Sequence, residues 1–441
     1  MKKILIITYY WPPSGGSGVQ RWMYFAKYME ENGMIPVVIT IDSEKAAYPA
    51  YDHSLSKKVE HVRVIRTKPG FNLFKAYSFL KSGKSKKIVP VGDVGGRKKT
   101  LFDSLSAYVR GNYFIPDARV GWNKQVIPVA KELLKAEHFD AIITTGPPHS
   151  THLIGLELKK TFPIHWIADF RDPWHDIYYN SIFKRTKKAD AKDEALETAV
   201  LKSADTILTV GPSMRELLCN KFSGLKEKTF FIYNGYDSEL FKDISAKRYN
   251  EFTIAHIGVW TLKQAHQEVI DALSFILKNN SDLKIRFVVA GNIEQEILDK
   301  LKSIPNLILD FKGKVSHKEA LQEMMNANLL LNCLAVQEQS KILISGKLME
   351  YIATGNEILV IGNTEGDAAK LINNISNAHI VSPGNTEEIK KVLLKVIKNP
   401  ETDSNSATFI TQFSRASTTK ELVNLLNLRL QSSQASKSNI N

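Results

Sequence analysis

The chain has almost no cysteine: Cys219 and Cys333 are the only two in 441 residues, and they stand in different halves. That excludes a disulfide framework, and neither sits in a metal-ligand spacing, so both read as small core residues and no metal site is expected. Long apolar runs are also missing. After Met1-Lys2-Lys3 the run Ile4–Ile7 ends at Thr8, short of the ~7–15 residues of a secretory signal. Nothing approaches the ~18 residues of a membrane helix. The expected location is cytoplasmic. What the sequence has in excess is positive charge, +13 from 59 basic and 46 acidic residues. That favours anionic partners such as nucleotide diphosphates or an anionic membrane surface. Nucleic acid would suit the charge, but no recognised RNA- or DNA-binding module is present.

The length suggests two domains. Residues 3–8 form a short β-branched run, followed by Pro12, Pro13, Gly15, Gly16 and Gly18. Apolar residues then recur at helical spacing over 18–32, and a second strand is expected at 35–41. This is a βαβ unit of a parallel sheet. After a possible third strand at 62–66, the segment 68–119, rich in lysine, glycine and aromatics, reads as a partly helical insertion. Alternation resumes with strands at 140–144, 164–169, 205–210 and 230–233. The turn Asn234-Gly235-Tyr236-Asp237 and the polar stretch 238–251 mark a boundary, beyond which six more strands and six helices form a second open sheet. The fold class is therefore α/β with two Rossmann-like domains. The first covers 1–240 with a closing helix at 409–430, the second 250–405, and the tail 431–441 is expected to be disordered.

Open parallel sheets bind ligands beyond the carboxyl ends of their strands, so the loops after strands hold the candidates. Gly16 and Gly18 lie in a glycine turn at a helix start, where backbone N–H groups can meet an anion. The spacing is not the dinucleotide fingerprint, and a mere tight turn is the alternative. His149 follows a strand in Gly146-Pro147-Pro148-His149-Ser150, and either of Ser150 or Thr151 can cap the helix. Asp169, Arg171 and Asp172 follow directly on a buried strand, so Arg171 is expected to lock one carboxylate; an internal ion pair competes with a ligand-binding role. In the second domain Gly258 permits close approach and Lys263 offers a cation. Lys347 follows a small pair at a helix start, and Glu350 lies one turn on, where it can accept ribose hydroxyls or simply pair with Lys347.

Taken in order, Tyr9-Tyr10-Trp11-Pro12-Pro13, Gly146-Pro147-Pro148-His149-Ser150, Ala168-Asp169-Phe170-Arg171-Asp172-Pro173-Trp174, Asn234-Gly235-Tyr236-Asp237 and Gly346-Lys347-Leu348-Met349-Glu350-Tyr351 resemble the retaining glycosyltransferases of family 4. The resemblance implies the GT-B fold, two Rossmann-like domains facing across a cleft. It implies a nucleotide-diphosphate sugar as substrate, with no cofactor or essential metal, and a glycan or lipid-linked acceptor in bacterial surface polysaccharide or lipopolysaccharide synthesis. A lipid-linked acceptor would place the protein peripherally on the inner face of the membrane. By the same resemblance Lys347 meets the diphosphate, Glu350 the ribose, the loop with Gly16 and Gly18 the donor phosphates and sugar, and catalytic His149 the transferred sugar; Gly258 and Lys263 are assigned to the donor from their own position, and Asp169, Arg171, Asp172 and Asn234 to the acceptor side or the cleft. Three positions depart from the pattern. The basic residue expected after the first strand of the second domain is blurred to Val259-Trp260-Thr261-Leu262-Lys263. An acid expected eight residues before Glu350 is Ile342, with Glu338 as a substitute, and a proline expected after Gly355 is replaced by Asn356-Glu357. A non-catalytic nucleotide-sugar-binding subunit and a sugar-nucleotide epimerase are the competing readings.

Overall fold

The computed structural model describes residues 1–46, 48, 50–70, 101–177, 180, 183, 185–335, 340–399 and 410–438. The chain forms two compact units, Met1–Tyr233 with Thr418–Asn441, and Asn234–Ser417.

The first unit carries β1 (Lys2–Ile7), β2 (Met34–Ile41), β3 (Arg63–Thr67), β4 (Ala141–Gly146), β5 (His165–Phe170), β6 (Thr206–Thr209) and β7 (Thr229–Phe231). All pair in parallel, in the order β3-β2-β1-β4-β5-β6-β7. β4 and β5 are buried along their whole length, so neither shows the in–out alternation of a strand with one solvated face. The helix Ser17–Met29 covers one face through Val19, Trp22, Met23 and Ala26, and Leu422, Val423, Leu426 and Leu430 of the last helix join the same core. That last helix is Arg415–Ser438, so helix continues through 431–438, where a disordered tail was expected. Of the insertion 68–119, the helix Leu101–Tyr113 bears out its partly helical reading; residues 71–100, with Phe71, Phe74, Tyr77 and Phe79, lie outside the described residues.

The second unit carries β8 (Phe252–Ile257), β9 (Ile285–Ala290), β10 (Leu307–Gly313), β11 (Leu329–Cys333), β12 (Glu357–Ile361) and β13 (Ala378–Val381) in the order β10-β9-β8-β11-β12-β13, again all parallel. Its core gathers Trp260, Phe287, Leu331 and Ile361 between helices such as Gln267–Lys278 and Thr386–Lys398. The first unit ends a few residues before the expected boundary at 240 for a local reason. Tyr236 donates from its backbone N–H to Phe413, and Arg415 donates to Tyr236, so the two connecting stretches run together inside the second unit. No helix among the described residues is long and apolar enough to cross a membrane.

Candidate functional site

In each sheet the strand order reverses once, between β1 and β4 and between β8 and β11. At such a switch point the loops leave in opposite directions and open a crevice at the strand ends. The predicted site residues divide between these two places.

In the second unit β8 ends at Gly258, whose φ of 117° no L-residue adopts without strain. A Cβ there would lie 2.0 Å from Nζ of Lys347 and 2.2 Å from its Cε. The lysine side chain thus rests on bare backbone at the switch point. Lys347 is the second residue of the helix Gly346–Thr354, whose start is pinned by Ser345: its hydroxyl accepts from Leu348 N–H and from the Asn332 amide at the end of β11. Among the described residues Lys347 has no hydrogen bond or ion pair, and burial lowers its pKa from the usual lysine value, opposed by the Glu350 carboxylate and the Cys333 thiol. A half-buried ammonium without a partner is costly. Glu350 does not pair with Lys347; its Oε1 accepts from His317 Nε2 at 2.9 Å. Lys263 is exposed and, among the described residues, makes no hydrogen bond or ion pair. Its loop is held by buried Trp260, which stacks on His256 and Phe287, and by Gln264, which donates to the Cys333 carbonyl.

In the first unit the turn after β4 carries His149, 6% exposed, immediately before the helix Ser150–Thr161. Its ring lies parallel to Trp174, 5.2 Å away and 15° off, and Trp174 is fixed by donating to Asp193. Neither ring nitrogen of His149 has a good hydrogen-bond partner, nor does Nε2 of His152. His149 Nδ1 and His152 Nε2 both come within 2.8 Å of where a Cβ on Gly146 would stand, so only glycine fits there. Burial first, then the neighbouring His152 and Arg171, depress the His149 pKa well below the ordinary value. Burial and Arg171 take His152 down to about 3. Both rings are neutral near pH 7. Trp166 Nε1–H donates to Thr144 Oγ1, which also lies 2.9 Å from His152 Nδ1.

The helix after His149 is capped from a distance. Asp117, at the end of the insertion, accepts from both the N–H and the hydroxyl of Ser150, so the capping comes from neither the Ser150 nor the Thr151 side chain. The charges after β5 also sort differently from the expectation that Arg171 locks a carboxylate. Asp169 is fully buried and pairs with Arg21. It also accepts from Trp22 Nε1 at 2.6 Å and from Thr145 Oγ1 at 2.8 Å. Its oxygens are thereby occupied, so it anchors the helix Ser17–Met29 to β4 instead of meeting a ligand. Arg171 donates to three carbonyls, those of Gly18, Gly146 and Pro147. Asp172 is exposed and, among the described residues, makes no hydrogen bond or ion pair. Gly16, with φ of 91°, opens the helix Ser17–Met29 and has nothing around its Cα. Asn234, half-buried, belongs to the second unit. Arg21, Thr144, His152 and Asp117 were absent from the sequence candidates. Only His152 left a trace there, three residues after His149 on one helix face.

The Asn356-Glu357 pair is accounted for locally. Asn356 is buried, donating to the Met324 carbonyl and accepting from Arg248, and Glu357 accepts from His379. Ile342 lies in a short 3-10 segment, Ser340–Ile342; Glu338 lies outside the described residues.

Residues 94–240 match the model of Glycosyltransferase Family 4. This stretch is a glycosyltransferase family 4 domain. The chain as a whole has the GT-B fold, and solved structures agree with it in fold along its whole length. A glycosyltransferase from Rickettsia africae superposes with a TM-score of 0.60 at 14% identity, covering 97% of this chain and 98% of that one. The lipopolysaccharide outer core galactosyltransferase WaaB in its apo form gives 0.57 at 12% identity, covering 99% and 100%. A UDP-N-acetylglucosamine 2-epimerase assigned in Listeria monocytogenes gives 0.54 at 10% identity, covering 98% of each. At these identities the likeness is one of fold. No curated protein matches the glycosyltransferase in sequence.

Proposed function

We propose that the protein is a retaining glycosyltransferase that takes a nucleotide-diphosphate sugar as donor and a glycan or lipid-linked acceptor, in the synthesis of a bacterial surface polysaccharide or lipopolysaccharide. The observation that carries the donor side is the unpartnered Lys347 ammonium lying on Gly258 at the β8/β11 switch point. When a nucleoside diphosphate leaves, negative charge grows on its phosphates. A fixed cation and the N-terminal end of the helix Gly346–Thr354 supply stabilisation without reorganising. Glu350, one turn along that helix, keeps Oε2 for a ribose hydroxyl while His317 holds Oε1. In the first unit, neutral His149 offers a ring nitrogen to a sugar hydroxyl. Its depressed pKa argues against a role as a proton carrier near pH 7, so it is read as orienting the sugar.

The test is a thermal-shift panel of UDP-, GDP-, ADP- and CMP-sugars, since a bound donor stabilises the fold. Lys347→Ala should weaken the best donor by about 10- to 100-fold, the worth of one charge-assisted hydrogen bond. An unchanged affinity rejects the donor assignment. One observation favours a second reading, a nucleotide-sugar-binding subunit without activity: the position of the expected acid is Ile342. Transfer or donor hydrolysis by the pure protein excludes that reading. An epimerase needs acid and base groups around the donor sugar, and Glu350 is already bonded to His317. A lipid-linked acceptor further requires access to an anionic membrane surface, which the net charge favours; if the protein stays in the supernatant with anionic vesicles at low salt, that part fails.

A further inference from the structure

Arg171 stands where a charged side chain at a strand end would be expected to meet a ligand, yet its guanidinium is turned inward. Nε–H donates to the Gly146 carbonyl at 3.1 Å, one terminal nitrogen to the Pro147 carbonyl, and the other to the Gly18 carbonyl. The Arg171 backbone N–H also donates to Gly146. Gly18 is the second residue of the helix Ser17–Met29, entered from the glycine turn after β1. Gly146 ends β4, and Pro147 follows it in the turn that leads straight to His149. The two connections part company at the switch point of the first unit. No backbone ladder joins them beyond Ile7 and Thr144, where β1 and β4 stop pairing. The fork of Arg171 joins them past that point.

We infer that Arg171 is a positioning residue, which sets the distance of the glycine turn from the His149 turn by bridging their carbonyls. Three features of the site favour an arginine. Its planar fork reaches three carbonyls in fixed directions, where a lysine would hold them with one mobile ammonium. Carbonyls facing one another across two loops repel, and a cation between them removes that repulsion. The same cation stands beside both imidazoles and opposes their protonation, so the residue that places His149 also helps keep it neutral. Gly146 has no room for a side chain against the two rings, so the turn must be held through its carbonyl.

The link to sugar transfer rests on the reading that His149 orients the donor sugar; the clamp itself does not. The test therefore reads the His149 ring without any nucleotide sugar. In the full-length protein, the imidazole signals of His149 are followed by NMR from pH 8 to pH 5, with His149→Asn for assignment. In the natural protein they should stay those of a neutral ring across the range. In Arg171→Met, still folded by circular dichroism, the ring-current shift from Trp174 should change. Arg171→Lys keeps the cation and loses the fork, so His149 should remain neutral while its ring-current shift moves. If Arg171→Met does not fold, Arg171→Lys decides through the ring-current shift alone. A His149 ring unchanged in the folded variants overturns the inference. Donor affinity of Lys347→Ala reports on the functional reading separately, so either can fail alone.

Discussion

Single residues here do chemistry by being held, and the strongest constraints fall on backbone rather than on side chains. Gly258 is the clearest case. Alanine at 258 would be strained at φ 117° and would sit 2.0 Å from the Lys347 ammonium. Gly258→Ala should cost about 1–3 kcal/mol of stability and should also displace the lysine. A donor affinity that falls together with the melting temperature is the expected result, measured by calorimetry on the same sample. Asp169→Ala should cost about 3–5 kcal/mol because Arg21, 2% exposed, would be left as a buried unpaired cation; urea denaturation measures it. These roles were hard to see in the sequence. Asp169, Arg171 and Asp172 announced themselves as charges after a buried strand, but the partner of Asp169 lies 148 residues away at Arg21 and that of Arg171 lies 153 away at Gly18. Nothing in local spacing distinguishes a carboxylate saturated by Arg21, Trp22 and Thr145 from one left open.

At the scale of elements the sequence was far more legible, because parallel strands buried on both faces must be β-branched and apolar and the helices between them keep a 3.6-residue period. The runs at 35–41, 357–361 and 378–381 became β2, β12 and β13 within a residue. Boundaries drifted where a cap decided them. The helix Lys187–Ser203 starts where it does because the Thr186 hydroxyl accepts from Ala189 N–H. Capping also lets one element act on another. Asp117 reaches the first turn of Ser150–Thr161 from the insertion, so Asp117→Ala should cost about 1 kcal/mol and loosen the turn that carries His149. Hydrogen exchange should show faster opening of the amides of residues 150–153 and little change in the second unit.

For the whole molecule, acid is the condition that separates folded from unfolded chains. His152 in the first unit and His256 in the second are both held at about 3, chiefly by burial, and His149 is held well below 6.5. Between pH 6.5 and 3 the unfolded chain therefore binds protons that the folded chain refuses, and stability rises with pH across that window. Each such histidine contributes up to about 1.4 kcal/mol per pH unit. With two in the first unit and one in the second, the first should melt earlier as pH falls from 7 to 5, a divergence that scanning calorimetry would resolve; a single transition unchanged over that range would count against it. The last helix, Arg415–Ser438, gives the molecule a further property. Its Leu422, Val423, Leu426 and Leu430 fill the core laid down by Ile4, Trp22 and Met23, although the whole second unit lies between them in the chain. On the ribosome the second unit therefore has all its strands before the first has its final wall. Through that interval the nascent chain carries an open apolar face around Trp22, and chaperones that grip such faces would find their hold there.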